Sequence, residues 1–465
     1  MEALEALFRR QRDARWRVAG TSADQRRARL KALLAALAAR RKEAHAALAA
    51  DFRKVPEEVD LAELYPLAAE LRTTIRRLED WMRPVKVRAP LGFAGSRAWV
   101  RFEPKGVALI ISPWNYPLFL TLGPLVSAVA AGNCAVLKPS EFTPHASAFL
   151  KSLVSEVFPE EEAAVAEGDQ GTSEALLRLP FDHIFFTGSP EVGRLVMKAA
   201  AVHLASVTLE LGGKSPVLVD ADADPRTAAR RIAWGKFLNA GQTCVAPDHV
   251  LAHPRIHGPL VAELGRAVAA FYGATETERK ANPDYARIVN ARHLGRLRRL
   301  LEASGGQVRL GGEWDERDHY FAPTLVTGVP LEAPLMREEI FGPILPVLEV
   351  PDLEAAVERV NAGPKPLALY IFTGRQDRAE DLLARTTAGG TCINDTVLHF
   401  AHPGLPGGGV NGSGIGKAHG VHGFRTFSNE RAVLCSRAWY SPIQWMYPPF
   451  TPRVRKLIDL MLRYL

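Results

Sequence analysis

The sequence predicts an α/β protein in which a doubly wound parallel sheet is followed by a second α/β unit. Three observations predict it. At 465 residues the chain exceeds what one hydrophobic core comfortably serves, so division into domains is expected. A hydrophobic content of 47% supplies material for packed cores and excludes wholesale disorder. From 106 to 219, short β-rich runs alternate with turns and helix-length segments. A second alternation over about 216–395 repeats the pattern, which is that of parallel strands covered on both faces.

The elements follow in order. Residues 1–85 read as helical. Ser22 and Gln25 form a capping-box pattern, and Leu30, Leu33, Leu34 and Leu37 then repeat at helical spacing. A second helix is expected over 57–81. The basic residues of 26–42 flank the leucines, so much of the net charge of +7 belongs to a solvated helix face. No nucleic-acid motif accompanies it, and no nucleic-acid partner is expected. The uncharged run 106–137 is long enough to suggest a membrane span. Pro113, Asn115, Pro117, Pro124, Asn133 and three glycines interrupt it. It reads instead as a strand (107–111), a polar turn, a buried helix (about 122–131) and a strand (134–137). Further strands are expected at 183–186, 206–209 and 216–219, and helices at 224–239, 258–271 and 290–303. The second unit ends near Asn394, and a glycine-rich stretch follows over 404–420. In the tail, Val454, Leu457, Ile458, Met461 and Leu465 share one helical face, away from Arg453, Arg455, Lys456 and Arg463. That helix is too short to cross a bilayer. It is expected to dock on the protein or a partner subunit in preference to a membrane surface.

Four cysteines, Cys134, Cys244, Cys392 and Cys435, lie far apart, with no CxxC pair and no zinc spacing. Residues 1–5 lack the apolar core of a secretory signal, so a reducing, cytoplasmic setting is expected. Cys134 and Cys392 sit in apolar runs and Cys435 in a late strand, as packing residues do. Only Cys244, within Asn239-Ala240-Gly241-Gln242-Thr243-Cys244-Val245, has the polar, glycine-bearing flanks of an exposed turn, where a thiol is placed to be a nucleophile. Glu210 stands at the edge of the apolar stretch Val207-Thr208-Leu209 and is the candidate general base. Gly188 and Gly193 open a helix after a strand with G-x-x-x-x-G spacing, not the usual dinucleotide turn, though a helix N-terminus there can face a phosphate. The stretch 407–417 is not a P-loop: Asn411 occupies the first glycine position and Ala418 replaces the magnesium-binding hydroxyl. His399 with His402, and His419 with His422, have helical metal-ligand spacing, but no carboxylate or thiol motif joins them. They are read as structural, and no metal is expected.

Six motifs then appear in order: Pro113-Trp114-Asn115-Tyr116-Pro117, Lys138-Pro139-Ser140-Glu141, Phe186-Thr187-Gly188-Ser189, Leu209-Glu210-Leu211-Gly212-Gly213-Lys214, Gly241-Gln242-Thr243-Cys244 and Glu338-Glu339-Ile340-Phe341-Gly342-Pro343. With them the chain resembles the NAD(P)-dependent aldehyde dehydrogenases, most closely their class 3 branch, from about residue 10 to 440. The resemblance implies a Rossmann-like coenzyme-binding domain over 1–209 and a second α/β catalytic domain over 210–395. A return segment for oligomerisation over 396–435 and the tail over 436–465 complete the chain. It implies that Cys244 is the nucleophile, that Glu210 is the general base, and that the Asn115 amide with the Cys244 backbone N–H forms the oxyanion hole. Lys138 and Glu141 hold the adenosine ribose. Gly188, Ser189, Val192 and Gly193 line the pyrophosphate and adenine region, and Leu211 belongs to the same cofactor-binding set. Glu339 holds the nicotinamide ribose, with Phe341 and Trp114 beside it.

The chemistry supports these assignments, because an aldehyde is a poor hydride donor until a thiol has added to its carbonyl. Donors fixed at the resulting alkoxide matter most, and a buried glutamate suits the later activation of water. The implied substrates are medium- or long-chain aliphatic or aromatic aldehydes. The implied cofactor is NAD, with NADP as the alternative, since Glu141 should repel a 2′-phosphate, and the implied assembly is a homodimer. Two other readings use the same residues: a thiol esterase built on Cys244 and Glu210, and a non-catalytic protein on an inherited scaffold. There are two departures from the family pattern. Gly407 replaces an aromatic residue in 405–411 and is expected to alter the substrate entrance, and the long membrane tail of some fatty-aldehyde relatives is not expected here.

Overall fold

The computed structural model describes residues 2–90, 93, 95–437, 439 and 441–463. The N-terminal part is helical, with helices Glu2–Ala19, Ala23–Ala39 and Arg41–Phe52. Ser22 and Gln25 form both bonds of the capping box, and Leu30, Leu33 and Leu37 point into the core. The helix expected over 57–81 is continuous but not uniform. Pro56–Val59 leads into a π turn, Asp60–Leu64, and then into Tyr65–Met82. One basic residue of the charged run has an internal task. Arg26 is buried and donates to the carbonyls of Ala19 and Ala130, at the ends of two helices whose last carbonyls lack intrahelical partners.

The first sheet has six strands in the order Gly414–Ile415, Ser206–Leu211, His183–Gly188, Val107–Ile111, Cys134–Lys138 and Ala163–Val165. All pairings are parallel except that of Gly414–Ile415. The uncharged run therefore supplies two central strands and a buried helix, Pro117–Ala131. That helix begins before the expected 122 because Pro117 occupies its first turn, where a missing N–H costs nothing. Among the described residues, no helix is long and apolar enough to cross a membrane.

The second sheet has seven strands, ordered Gln307–Leu310, Thr324–Thr327, Ile344–Glu349, His249–Ala252, Pro216–Val219, Ala368–Phe372 and Gly390–Ile393. It too is parallel except at the Gln307–Leu310 edge. A third sheet joins Val85–Val87, Arg97–Pro104 and Ser428–Cys435, with the last strand on the outside.

The tail helix forms over Pro452–Arg463, but none of its residues is buried. Its contact within the chain is with the turn Pro442–Met446, not with the core. Leu457 and Met461 stay exposed, Val454 and Ile458 are half-buried, and Leu465 lies outside the described residues.

Candidate active site

The turn carrying Cys244 grows out of a helix that stops early. Helix Pro225–Phe237 ends two residues before the expected 239, and Asn239 (φ 53°), Ala240 (φ 50°) and Gly241 (φ 75°) follow in the left-handed region. Three such residues in a row reverse the chain tightly. A side chain at Gly241 would strike the Gly342 carbonyl, so the turn packs directly on the loop of the Glu338–Pro343 motif. The strained turn is held by hydrogen bonds throughout. Gln242 donates to the carbonyls of Asn239 (3.0 Å) and Arg287 (2.9 Å) and accepts from the Val289 N–H (2.9 Å). Thr243 bonds the Tyr116 hydroxyl at 2.6 Å, and Tyr370 donates to the Val245 carbonyl. Cys244 is half-buried among these anchors. Burial, then the nearby carboxyls of Glu339 and Glu210, push its thiol well above the ordinary range, so the resting sulfur carries its proton.

Asn115 follows the strand Val107–Ile111 and is buried. Its side-chain amide donates to the Gln242 carbonyl at 3.0 Å, and its own carbonyl accepts from Asn239 (2.8 Å) and Lys54 (3.0 Å). The second amide N–H has no other partner among the described residues, in a cavity that Cys244 also lines.

Glu210 lies near the end of the strand Ser206–Leu211, paired in register with Gly414. One carboxyl oxygen is buried without a hydrogen-bond partner among the described residues. Burial pushes the group up to about 7, against the opposing pull of the Lys417 ammonium. Lys214, four residues on, does not pair with it, because its ammonium is held by Asp248 and the carbonyls of Leu335 and Glu338. Glu339 folds back on the Gly212-Gly213 turn, where a side chain at Gly212 would occupy the space of its carboxyl. Burial pushes Glu339 up to about 8, although the Gly213 N–H favours its charged form.

Of the remaining predicted residues, Trp114, Gly188, Ser189, Leu211 and Phe341 line the same cavity as the thiol, and Lys138, Glu141, Val192 and Gly193 do not. At the end of strand Cys134–Lys138, the buried Lys138 ammonium reaches the Pro139 carbonyl (2.8 Å) and Glu141 (3.4 Å). At the end of strand His183–Gly188, Ser189 caps helix Pro190–His203 by accepting from the Val192 N–H at 3.3 Å. Val192 is exposed there, and Gly193 admits the Leu211 side chain against the helix. Trp114 stands edge-on to Phe341, with ring centroids 5.3 Å apart. These groups fit a dinucleotide: a cation and a carboxylate for ribose hydroxyls, a helix N-terminus for phosphate, and an aromatic wall beside the thiol.

Two cavities meet at Cys244. One, of about 220 Å³, contains Trp114, Asn115, Glu210, Glu339 and Phe341. The other, of about 140 Å³, is walled by Tyr65, Tyr116, Phe119, Trp234, Leu238 and Phe400 among others. The sequence reading missed that second wall, and on the polar side it missed His293 and Arg296. Arg296 donates to the carbonyls of Glu339 (3.0 Å) and Ile340 (2.5 Å), and burial pushes His293 down to about 4. A helical apolar residue reads as core unless its cavity is seen, and His293 and Arg296 stand apart from any motif.

Gly407 lines neither cavity. It bonds Ala418 in both directions, and a side chain there would collide with His419. His419 instead stacks on Phe119 (5.6 Å, 5° between planes) and meets Phe400 edge-on at 5.0 Å. The effect expected of Gly407 on the entrance is thus indirect: it makes room for His419, which backs two rings of the apolar cavity. His399 contacts Cys392, its Nδ1 3.2 Å from Sγ.

Residues 2–433 match the sequence model of the aldehyde dehydrogenase family. The chain belongs to that family. It is an NAD(P)-dependent aldehyde dehydrogenase, oxidising aldehydes to carboxylic acids. It is 44% identical to bovine aldehyde dehydrogenase family 3 member B1, covering 93% of this chain and 91% of the relative. To the human protein of that name it is 42% identical, covering 98% and 97%. To the rat dimeric, NADP-preferring aldehyde dehydrogenase it is 43% identical, covering 83% and 84%. Among solved structures, the substrate-bound state of Staphylococcus aureus AldH superposes with a TM-score of 0.94 at 37% identity, covering 98% and 99%. A Mycobacterium tuberculosis aldehyde dehydrogenase complexed with NAD+ gives 0.86 at 27% identity, covering 94% and 91%.

Proposed function

We propose that this aldehyde dehydrogenase takes medium- or long-chain aliphatic or aromatic aldehydes, with Cys244 as nucleophile, Glu210 as base, and Asn115 with the Cys244 N–H as oxyanion donors. The observation that carries this reading is the position of Cys244, between an apolar cavity and a polar one that holds Glu210 and Asn115. An apolar aldehyde tail enters the first, and its carbonyl meets the thiol at the junction. The Glu210 carboxylate takes the thiol proton as sulfur bonds to the carbonyl carbon, and the carbonyl electron pair moves to oxygen. The alkoxide so formed accepts from the Asn115 amide and the Cys244 N–H. A nicotinamide cofactor held by the residues named below would supply the acceptor for the hydride lost from this carbon. A thioester on Cys244 remains. Glu210, having lost its proton to solvent, takes one from water, whose oxygen attacks the thioester. The carbon–sulfur bond breaks, its electron pair stays on sulfur and takes up the proton from Glu210, and the acid leaves.

Lys138 and Glu141 hold the adenosine ribose in this reading. Gly188, Ser189, Val192, Gly193 and Leu211 take the pyrophosphate and adenine region, and Glu339, with Phe341 and Trp114, takes the nicotinamide ribose. NAD is preferred to NADP, because the Glu141 carboxylate repels a 2′-phosphate. Steady-state rates with both cofactors over an aldehyde panel test this. A kcat/KM that rises with chain length and favours NAD is expected, and Glu141→Gln should narrow the cofactor preference. A preference for two-carbon aldehydes would overturn the substrate class.

We also propose a homodimer acting in the cytoplasm. The outer strand Ser428–Cys435, whose side chains are mostly exposed, supports the dimer. Four free cysteines support a reducing compartment. Light scattering after size exclusion tests the first, a monomer being the contrary result, and cell fractionation tests the second.

A further inference from the structure

Against the Asn115 backbone, and lining neither cavity, lies an ion pair that the chemistry above does not use. Lys54 and Glu63 are 3.3 Å apart, and both side chains are fully excluded from solvent. Burying two charges is expensive, and a well-packed apolar pair of similar volume serves a core as well or better. Stability is therefore a poor account of the pair, and the destination of its remaining hydrogen bonds is a better one. The Lys54 ammonium donates to the Asn115 carbonyl at 3.0 Å. The second Glu63 oxygen accepts from the N–H groups of Leu118 (2.8 Å) and Phe119 (3.3 Å), at the open N-terminus of helix Pro117–Ala131. Every one of these bonds goes to 115–119. The Lys54 ammonium also lies over the rings of Phe52 (4.7 Å) and Tyr116 (4.5 Å), so it has little freedom to move.

The π turn Asp60–Leu64 explains how one short segment serves two purposes. Leu61 and Ala62 line the apolar cavity, while Glu63 turns inward to the pair. The extra residue of a π turn rotates the succeeding helix by about 100° relative to α winding, and such turns gather at functional sites.

We infer that Lys54 and Glu63 are positioning residues for the oxyanion donor, clamping the backbone from the Asn115 carbonyl to the Phe119 N–H so that the Asn115 amide meets the alkoxide oxygen. The inference rests on the proposed role of Asn115. Neither Lys54 nor Glu63 lines either cavity, so NAD binding and access to the thiol should be left unchanged. A donor displaced by about an ångström loses much of its effect on rate.

The test is a double-mutant cycle on the full-length enzyme, with NAD and a medium-chain aldehyde. Asn115→Ala should lower kcat by ~10²–10³-fold. The paired substitution Lys54→Met with Glu63→Leu removes both charges together, so neither is left buried alone. It should lower kcat by ~10–10²-fold, with the KM for NAD and the rate of Cys244 alkylation by iodoacetamide within about twofold of wild type. Adding Asn115→Ala to that pair should cost little more than Asn115→Ala alone. If the paired variant does not fold, Lys54→Met with the near-isosteric Glu63→Gln, which also removes both charges, takes its place in the same cycle and is read by the same outcomes. A wild-type kcat in the folded pair variant, where Asn115→Ala is impaired, overturns the positioning role alone. Losses that multiply in the combined variant also overturn it. An unchanged kcat in Asn115→Ala overturns the oxyanion reading itself, and the positioning role with it.

Discussion

The cavity on the Glu210 side of Cys244 and the cavity on its Phe119 side are both small, about 220 and 140 Å³, but they differ in the carboxyl, imidazole and guanidinium side chains that only the first contains. The first gathers ionisable groups and then suppresses their charge. Burial pushes Glu210 up to about 7 and Glu339 up to about 8, and pushes His293 down to about 4. The second presents mostly aromatic and aliphatic side chains, with Thr243 tied to Tyr116. The difference separates two tasks. The polar side changes protonation states near neutral pH, and the apolar side selects molecules by area and shape. Among the described residues, only Cys244 lines both.

Substitutions should keep those tasks apart. The largest effect belongs to the shared residue. Cys244→Ala should abolish growth of reduced-nicotinamide absorbance with every aldehyde while leaving NAD binding by fluorescence titration intact; residual turnover would move the nucleophile elsewhere. Next comes the polar side alone. Glu210→Gln should lower kcat by ~10²–10⁴-fold for all aldehydes alike. In wild type, kcat should rise with pH through about 7 as the Glu210 carboxylate forms, and this limb should be missing from the Gln variant. On the apolar side, Phe400→Ala should raise the KM of long-chain or aromatic aldehydes by ~10–200-fold, with the KM for NAD unchanged. A uniform loss across short and long aldehydes would mean that this ring supports the site instead of selecting the substrate.

The same contrast explains what the sequence disclosed. Asn115, Lys138, Glu210 and Cys244 lie in contiguous motifs because each sits in a turn or at a strand end whose neighbours must also hold the backbone. Gly241 is there because its Cβ would meet Gly342, and Gln242 because it ties the turn to Arg287 and Val289. Strand Pro216–Val219 matched its expected bounds, since uniform burial leaves a continuous apolar run. The apolar wall was not legible. Tyr65, Trp234 and Phe400 come from three distant segments, and each alone looks like packing. Lys54 and Glu63 were hidden for a related reason: a charged pair nine residues apart in a helical region reads as surface, and only the fold buries it. His419 was read as structural, and its stacking on Phe119 agrees. The helix expected to 239 ends at Phe237, because Asn239 donates instead to the Glu58 carboxyl and the Asn115 carbonyl, tertiary bonds that override helix propensity.

The smallest expected effect concerns stability, and it too distinguishes the two cavities. Glu210 has its folded pKa raised to about 7, above the ~4.3 of an unfolded glutamate. Between those values the native state holds a proton that the unfolded chain has lost, so ν for the native state exceeds ν for the unfolded one and the slope of unfolding free energy with pH is negative. The Glu210 contribution is therefore fully present below pH ~4.3 and is lost as pH rises through about 7. Other buried groups, His293 among them, titrate with the opposite sign below about 6.5, so the wild-type curve alone does not isolate it. The difference between Glu210→Gln and wild type does, because groups common to both cancel. From pH 5 to pH 8 the variant should gain roughly 2.5 kcal/mol of unfolding free energy relative to wild type, read by denaturant titration at each pH. Phe400→Ala, which removes apolar contact and no titrating group, should be less stable than wild type by a similar amount at every pH. Parallel curves for Glu210→Gln would mean that its carboxyl ionises as freely in the folded protein as in the unfolded chain, and a base poised near neutrality would have to be sought at Glu339.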